Sequence, residues 1–84
     1  MSAIIYTAPL CSYCELAKQV LTERKITFQE LVIGVEITKG EAVEELGVIF
    51  KQVPQIVLNG IHIGGYTELV EFFNRLQQQN GEPK

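Results

Sequence analysis

The spacing of apolar and polar positions changes several times along the chain, and each change predicts an element. Ile4 to Thr7 is a β-branched and aromatic run that reads as a buried strand. Pro9, Cys11 and Ser12 break it and lead into a helix. From Cys14 on, its apolar positions Leu16, Ala17, Val20 and Leu21 share one face, with Glu15, Lys18, Gln19 and Thr22 opposite. Arg24-Lys25 suits a fraying C-terminus, where basic side chains are favoured. Thr27 to Ile33 reads as a second strand, punctuated by Gly34. Thr38-Lys39-Gly40-Glu41 has the form of a capping box, with a Thr hydroxyl for one free N–H and a Glu reaching back. A short helix through Val43 and Leu46 follows, and Gly47 stops it.

Gln55 to Leu58 and Ile61 to Ile63 flank Asn59-Gly60. Both central residues of a type I′ turn need positive φ, which Asn-Gly tolerates best, so a hairpin is predicted. Gly64-Gly65 ends the second of these strands. Thr67 is expected to cap a final helix with Leu69, Phe72, Phe73 and Leu76 on one face. The polar stretch from Gln77 to Lys84 is expected to be loose. The order is β-α-β-α-β-β-α. Strands joined through a helix run parallel and hairpin strands antiparallel. The fold class is therefore α/β, a four-stranded mixed sheet flanked by three helices covering both faces.

Composition narrows the setting. At 84 residues the chain is read as one domain, residues 1–84. Apolar residues make up 46% and charged residues 20%, an ordinary globular balance. The net charge of −3 and the scattered Lys and Arg give no basic face of the kind nucleic-acid binding requires. The early run Ala3-Ile4-Ile5-Tyr6 is too short for a signal-peptide core. Nothing approaches the roughly 20 apolar residues of a membrane span. The chain is thus expected to be cytoplasmic, without a membrane or nucleic-acid partner, and it is taken separately to be a monomer. In a reducing cytosol a close cysteine pair points to redox catalysis or metal binding rather than a staple.

Cys11-Ser12-Tyr13-Cys14 lies where the first strand becomes the first helix. At a helix N-terminus unpaired N–H groups and the macrodipole favour negative charge, so a thiolate at Cys11 is stabilised. Its pKa should fall below the ~8.5 of a free thiol, and the thiolate is the attacking species. Cys14, three residues on and on the buried side, can swing to Cys11, resolve a mixed disulfide and release the reduced substrate. Zinc wants four ligands, and two cysteines with one histidine, His62, fall short.

Two further stretches stay open on their residues alone. Val53-Pro54-Gln55 reads equally as a proline starting an edge strand or as a cis-proline. The latter would aim the Val53 backbone at an extended peptide. Gly64-Gly65-Tyr66-Thr67-Glu68 reads as an ordinary turn with a Thr cap, or as a close approach for a ligand carboxylate at a helix N-terminus. His62 alternates with Ile61 and Ile63 and is expected to face solvent. Tyr6, Phe28, Phe72 and Phe73 read as packing, and Glu41, Glu44 and Glu45 as the wet face of a helix.

Together these motifs resemble the glutaredoxin family over almost the whole chain. The resemblance runs from Ile4-Ile5-Tyr6-Thr7 through Cys11-Ser12-Tyr13-Cys14 and Val53-Pro54-Gln55-Ile56 to His62-Ile63-Gly64-Gly65-Tyr66-Thr67-Glu68-Leu69. It implies a thioredoxin-like fold and a glutathione-dependent thiol–disulfide oxidoreductase acting on protein disulfides and glutathione mixed disulfides. Cys11 is then the nucleophile, Cys14 the resolving thiol and glutathione the cosubstrate. The resemblance also implies that Pro54 is cis and that Val53 pairs through its backbone with the cysteinyl part of glutathione. Tyr13 would flank the tripeptide, and Gly65, Tyr66, Thr67 and Glu68 would hold its γ-glutamyl end. Disulfide-containing and glutathionylated proteins are the implied partners. Ribonucleotide reductase is a typical family client, though nothing in this sequence selects it.

Several positions depart from the family pattern. Ala8 stands where many relatives carry Lys or Arg, Gln52 where many have Thr, and Glu68 where many have Asp. Lys51 is expected to replace the missing charge of position 8 against the glycyl carboxylate. Ser12 stands where Pro is commoner. That change is similar to cluster-binding relatives, in which Cys11 of each of two subunits would ligate a bridging iron–sulfur cluster with two glutathiones. A further alternative is a glutaredoxin-like thioredoxin recharged by a flavoprotein reductase.

Overall fold

The computed structural model of the chain describes residues 1–81, with side chains as far as Gln77. Seven elements follow in the expected order: β1 Ser2–Thr7, α1 Ser12–Glu23, β2 Thr27–Val32, α2 Lys39–Leu46, β3 Gln55–Leu58, β4 Ile61–Gly64 and α3 Tyr66–Gly81. They form one four-stranded sheet in the order β2-β1-β3-β4. β1 runs parallel to β2 with Ile5 beside Glu30, and antiparallel to β3 with Ile5 opposite Ile56. β3 and β4 form the antiparallel hairpin, whose Asn59 and Gly60 both take positive φ, 52° and 81°.

The hairpin turn also meets the start of β1 at Ser2, two residues before the Ile4 to Thr7 stretch read as the strand. The Asn59 side-chain oxygen accepts the Ser2 N–H at 3.0 Å, and the Asn59 N–H donates to the Ser2 carbonyl at 2.8 Å. A turn residue far along the chain thus clamps the start of the strand.

Each sheet face carries its own core. Ala3, Ile5, Ile56 and Leu58 meet Ala17 and Leu21 of α1 and Leu69 and Phe73 of α3. On the other face Tyr6 packs with Ile37, Phe50 and Ala42 of α2. Side chains as fully buried as Leu21 or Leu69 each stabilise the fold by roughly 1.5–3 kcal/mol. Phe28 and Phe72 are half-buried against the first core, as packing residues should be. Along α1 the buried line is Cys14, Ala17 and Leu21. Leu16, read from the pattern as part of that face, lies one position round from it and is exposed.

The helix ends differ from one another in chemistry. α2 has the predicted capping box between Thr38 and Glu41 and the predicted left-handed Gly47 at its end. α1 does not fray at Arg24-Lys25. Lys25 takes the left-handed conformation at φ 59°, its N–H donates to the Thr22 carbonyl, and the Ile26 N–H reaches back to Leu21. This is a Schellman closure with lysine where glycine is usual. Buried Ile26 is the apolar contact that locks it. Helix α3 starts at Tyr66, so Thr67 lies inside its first turn rather than capping it. It continues to Gly81, so residues 77–81 extend the helix where a loose tail was expected; residues 82–84 lie outside the described residues.

Two polar side chains on the sheet gain partners from the helices. The Tyr6 hydroxyl donates to Glu45 at 2.8 Å. Glu45 is therefore more than a wet surface position. Burial and the Glu45 carboxylate push the Tyr6 phenol up to about 12. Among the described residues no helix is long and apolar enough to cross a membrane.

Candidate active site

The two cysteines occupy opposite ends of the first turn of α1. Cys11 is the N-cap residue, with extended backbone at φ −118° and ψ 108°. Its Sγ accepts the Cys14 backbone N–H at 3.1 Å. A cap side chain ordinarily offers oxygen to one of the free amides of a helix start; here sulfur takes that role. Cys14 is 1% exposed, while Cys11 is half-buried. The two are joined as a disulfide, with their Cα atoms 5.2 Å apart.

Facing them is the segment that leads into β3. The Val53–Pro54 peptide is cis, and the Val53 carbonyl oxygen lies 3.8 Å from Cys11 Sγ. Of the two readings of Pro54, a strand-starting proline and a cis-proline opposite the cysteines, the structure has the second. From here a groove of about 510 Å³ runs between Tyr13, the segment Gln52 to Gln55 and the segment Gly64 to Glu68. The rings of Tyr13 and Tyr66 lie 5.6 Å apart.

Glycines make room on the far wall. Gly65 backs onto the Pro54 carbonyl, which an added Cβ would meet at 3.2 Å. Gly64 has φ +117°, and a Cβ there would come 2.8 Å from Glu68 Cγ. This room lets the Glu68 carboxylate fold back and accept the Gly65 N–H at 2.8 Å. The pattern is half of a capping box: Glu68 reaches back, but Gly65 has no side chain to return the bond. Among the described residues no side chain accepts from the Thr67 or Glu68 N–H, whereas Cys11 caps α1 and Thr38 caps α2.

The groove gathers Tyr13, Val53, Pro54, Gly65, Tyr66, Thr67 and Glu68, seven residues singled out from the sequence. Lys51 is exposed and not among its lining residues; Gln52, its neighbour, is. Gly64, from the stretch read as a close approach for a ligand, lines it too, as do Gln52 and Gln55, which were not singled out as ligand contacts. The sequence signal for the glutamines was their position on either side of the Val-Pro pair. Gln55 spans two partners, donating to the Gln52 carbonyl at 2.8 Å and meeting His62 Nε2 at 2.7 Å. His62 is thus half-buried and hydrogen-bonded rather than turned to solvent, because Gln55 on the neighbouring strand β3 reaches its ring.

Beneath the cysteine turn lies a charged cluster that the sequence pattern did not reveal. Glu30 on β2 accepts from the Thr7 hydroxyl at 2.8 Å and from Lys18 Nζ at 3.1 and 3.2 Å. Lys18 also pairs with Glu15 at 3.0 Å. Burial pushes the Glu30 carboxyl up, but the Thr7 hydroxyl and the Lys18 ammonium outweigh it and hold it below the ordinary carboxylate range. The same bonds, to Glu15 and then Glu30, raise Lys18. The cluster ties α1, one helical turn after Cys14, to the ends of β1 and β2.

A cysteine that caps a helix with its sulfur, a second cysteine buried one turn on and an open groove beside them define a thiol–disulfide oxidoreductase of the thioredoxin-like fold. Residues 3–63 match the Glutaredoxin family model, and the chain belongs to the glutaredoxin family. It is 39% identical to glutaredoxin 3 of Escherichia coli strain K12 over 66 residues, 77% of this chain and 77% of that protein. It is 35% identical over 72 residues to the hybrid peroxiredoxin hyPrx5 of Haemophilus influenzae, covering 86% of this chain but only 29% of that protein. Among solved structures, glutaredoxin 1 of Francisella tularensis, complexed with cacodylate, superposes with a TM-score of 0.73 at 31% identity. That match covers 92% of this chain and 96% of the other.

Proposed function

We propose that Cys11 is the attacking thiolate, Cys14 the resolving thiol, and glutathione the thiol that recharges the pair from the groove. The observation that carries this reading is the Cys14 N–H donated to Cys11 Sγ at 3.1 Å, a donor placed to stabilise negative charge on that sulfur. The Cys11 thiolate attacks a substrate sulfur, and the other half of the substrate leaves as a thiolate. Cys14 then loses its proton, attacks Cys11 Sγ and releases the second half, which leaves the Cys11–Cys14 disulfide. One glutathione opens this disulfide at Cys11 and frees Cys14. A second attacks the bound glutathione sulfur and departs with it as oxidised glutathione. Two electrons pass from the cysteine pair to the substrate and two are restored to the pair by glutathione, so two glutathiones are consumed per substrate disulfide.

The groove suits an extended tripeptide. Its cysteinyl part pairs with the Val53 backbone, beside Cys11. Its γ-glutamyl carboxylate takes the N–H groups of Thr67 and Glu68 at the start of α3, where the macrodipole favours an anion. Tyr13 and Tyr66 flank the chain, and Gly65 allows the close approach. Lys51, one residue outside the lining, contributes charge toward the glycyl carboxylate in place of Ala8. A reducing compartment such as the cytosol fits a protein recharged by glutathione.

The test uses Cys14→Ser protein treated with oxidised glutathione. Mass spectrometry should find one glutathione on Cys11, and the amide resonances of Thr67 and Glu68 should shift on its addition. Modification without movement at those amides would overturn the groove assignment.

A further inference from the structure

The residue beside the proposed nucleophile goes against its own chemistry twice. Leu10 is fully exposed, and it belongs to neither core. Its φ of 57° lies in the left-handed region, which a leucine disfavours. Pro9 and Leu10 form the turn that hands β1 to α1. Glycine or asparagine is the ordinary choice at a positive-φ turn position. An apolar side chain held outward in an unfavourable conformation next to a reactive sulfur points to a use there.

With Cys11, Ser12 and Glu15, Leu10 lines an open hollow that shares no lining residue with the groove. We propose that this hollow takes the polypeptide part of a protein disulfide, and that Leu10 makes the protein favour client cysteines with apolar neighbours. The proposal rests on Cys11 being the attacking sulfur. In the mixed disulfide the client sulfur is bonded to Cys11, and Leu10 is the adjoining residue. The residues on either side of the client cysteine are only one peptide, about 3.8 Å between Cα atoms, from it. They must therefore lie over the surface around Cys11. Ser12 is neutral, and Glu15, which shares Lys18 with Glu30, can discriminate only among charged neighbours of a client cysteine, not among uncharged ones. The apolar contact at Leu10 is what remains to choose.

The test uses fully reduced protein and two symmetrical peptide disulfides, one with Leu on both sides of its cysteine and one with Ser. In each reaction Cys11 displaces one peptide as a thiol and Cys14 displaces the other. Two electrons pass to the peptide pair, and the Cys11–Cys14 disulfide forms. Second-order rate constants, each divided by that of dithiothreitol with the same peptide, remove differences in intrinsic reactivity. Wild type should favour the Leu peptide by roughly fivefold to tenfold, the value of part-burying a leucine-sized contact. Leu10→Asn keeps a residue that tolerates positive φ and should bring the ratio to about 1. A wild-type ratio near 1, or a preference that survives Leu10→Asn, would overturn the proposal. Reaction that persists in Cys11→Ser would instead overturn the nucleophile assignment beneath it.

Discussion

Cys14 donates its backbone N–H to the sulfur of Cys11 across a single helical turn, at 3.1 Å. The donor is a main-chain group, so it survives replacement of the Cys14 side chain. Cys14→Ser protein should therefore still hold Cys11 as a thiolate near neutral pH. Alkylation followed against pH should show a midpoint below the ~8.5 of a free thiol. A midpoint at or above that value would mean that the helix start does not stabilise the anion.

The cluster of Thr7, Glu30 and Lys18 should set the pH range of stability. Glu30 is held below its ordinary value, so its contribution is complete above about pH 4.5 and is lost as pH falls through the folded-state value. Lys18 is raised, so its contribution is complete up to its ordinary pKa of 10.5 and is lost as pH rises through the folded-state value. Glu30→Gln leaves Lys18 half-buried with Glu15 alone. The loss should fall between that of an exposed and a buried pair, about 1–2 kcal/mol. Thermal denaturation at pH 7 should show Tm lowered by roughly 5–10 °C, with a smaller difference at pH 3.

Gly64 and Gly34 both have positive φ, but only Gly64 has a neighbour in the way. Gly34→Ala meets nothing within 4 Å and should cost backbone strain alone. Gly64→Ala must also displace Glu68 and break its bond to Gly65. It should lose more than about 1 kcal/mol and weaken glutathione binding, while Gly34→Ala leaves that binding unchanged. Denaturant melts and glutathione titration of the two variants make the comparison.

Lys25 closes α1 in a conformation that costs an L-residue roughly 1–2 kcal/mol. Part of that returns on substitution by glycine, less the entropy glycine loses on folding. Lys25→Gly should raise stability by about 0.5–1 kcal/mol, read as an increase in Tm. A fall would show that the lysine side chain makes a contribution of its own.

What the sequence disclosed was local. The Thr38–Glu41 capping box, the Asn59-Gly60 turn and the cysteine pair at a strand-to-helix junction each depend on a few adjacent residues, and each stands where it was read. The misplaced features depend on distant partners. Ser2 extends β1, paired with Thr27 and clamped by Asn59, and Glu30 sits on a helix-facing side of the sheet where Lys18 and Thr7 meet it. His62 looked solvent-facing until Gln55 came alongside. Thr67 had the right chemistry for a cap, but Glu68 binding the Gly65 N–H starts the helix one residue earlier. In the groove, the family motifs placed seven residues together. Lys51 is exposed and lies one residue outside the lining, next to Gln52.

The central claim is that Cys11 does the attacking and glutathione does the recharging. Its most direct test is steady-state reduction of a glutathione mixed disulfide, coupled to glutathione and its reductase, with wild type, Cys11→Ser and Cys14→Ser. That substrate needs only the attack by Cys11 and return by glutathione. Turnover should vanish in Cys11→Ser and persist in Cys14→Ser. Turnover surviving Cys11→Ser, or an inactive wild type, would contradict the account.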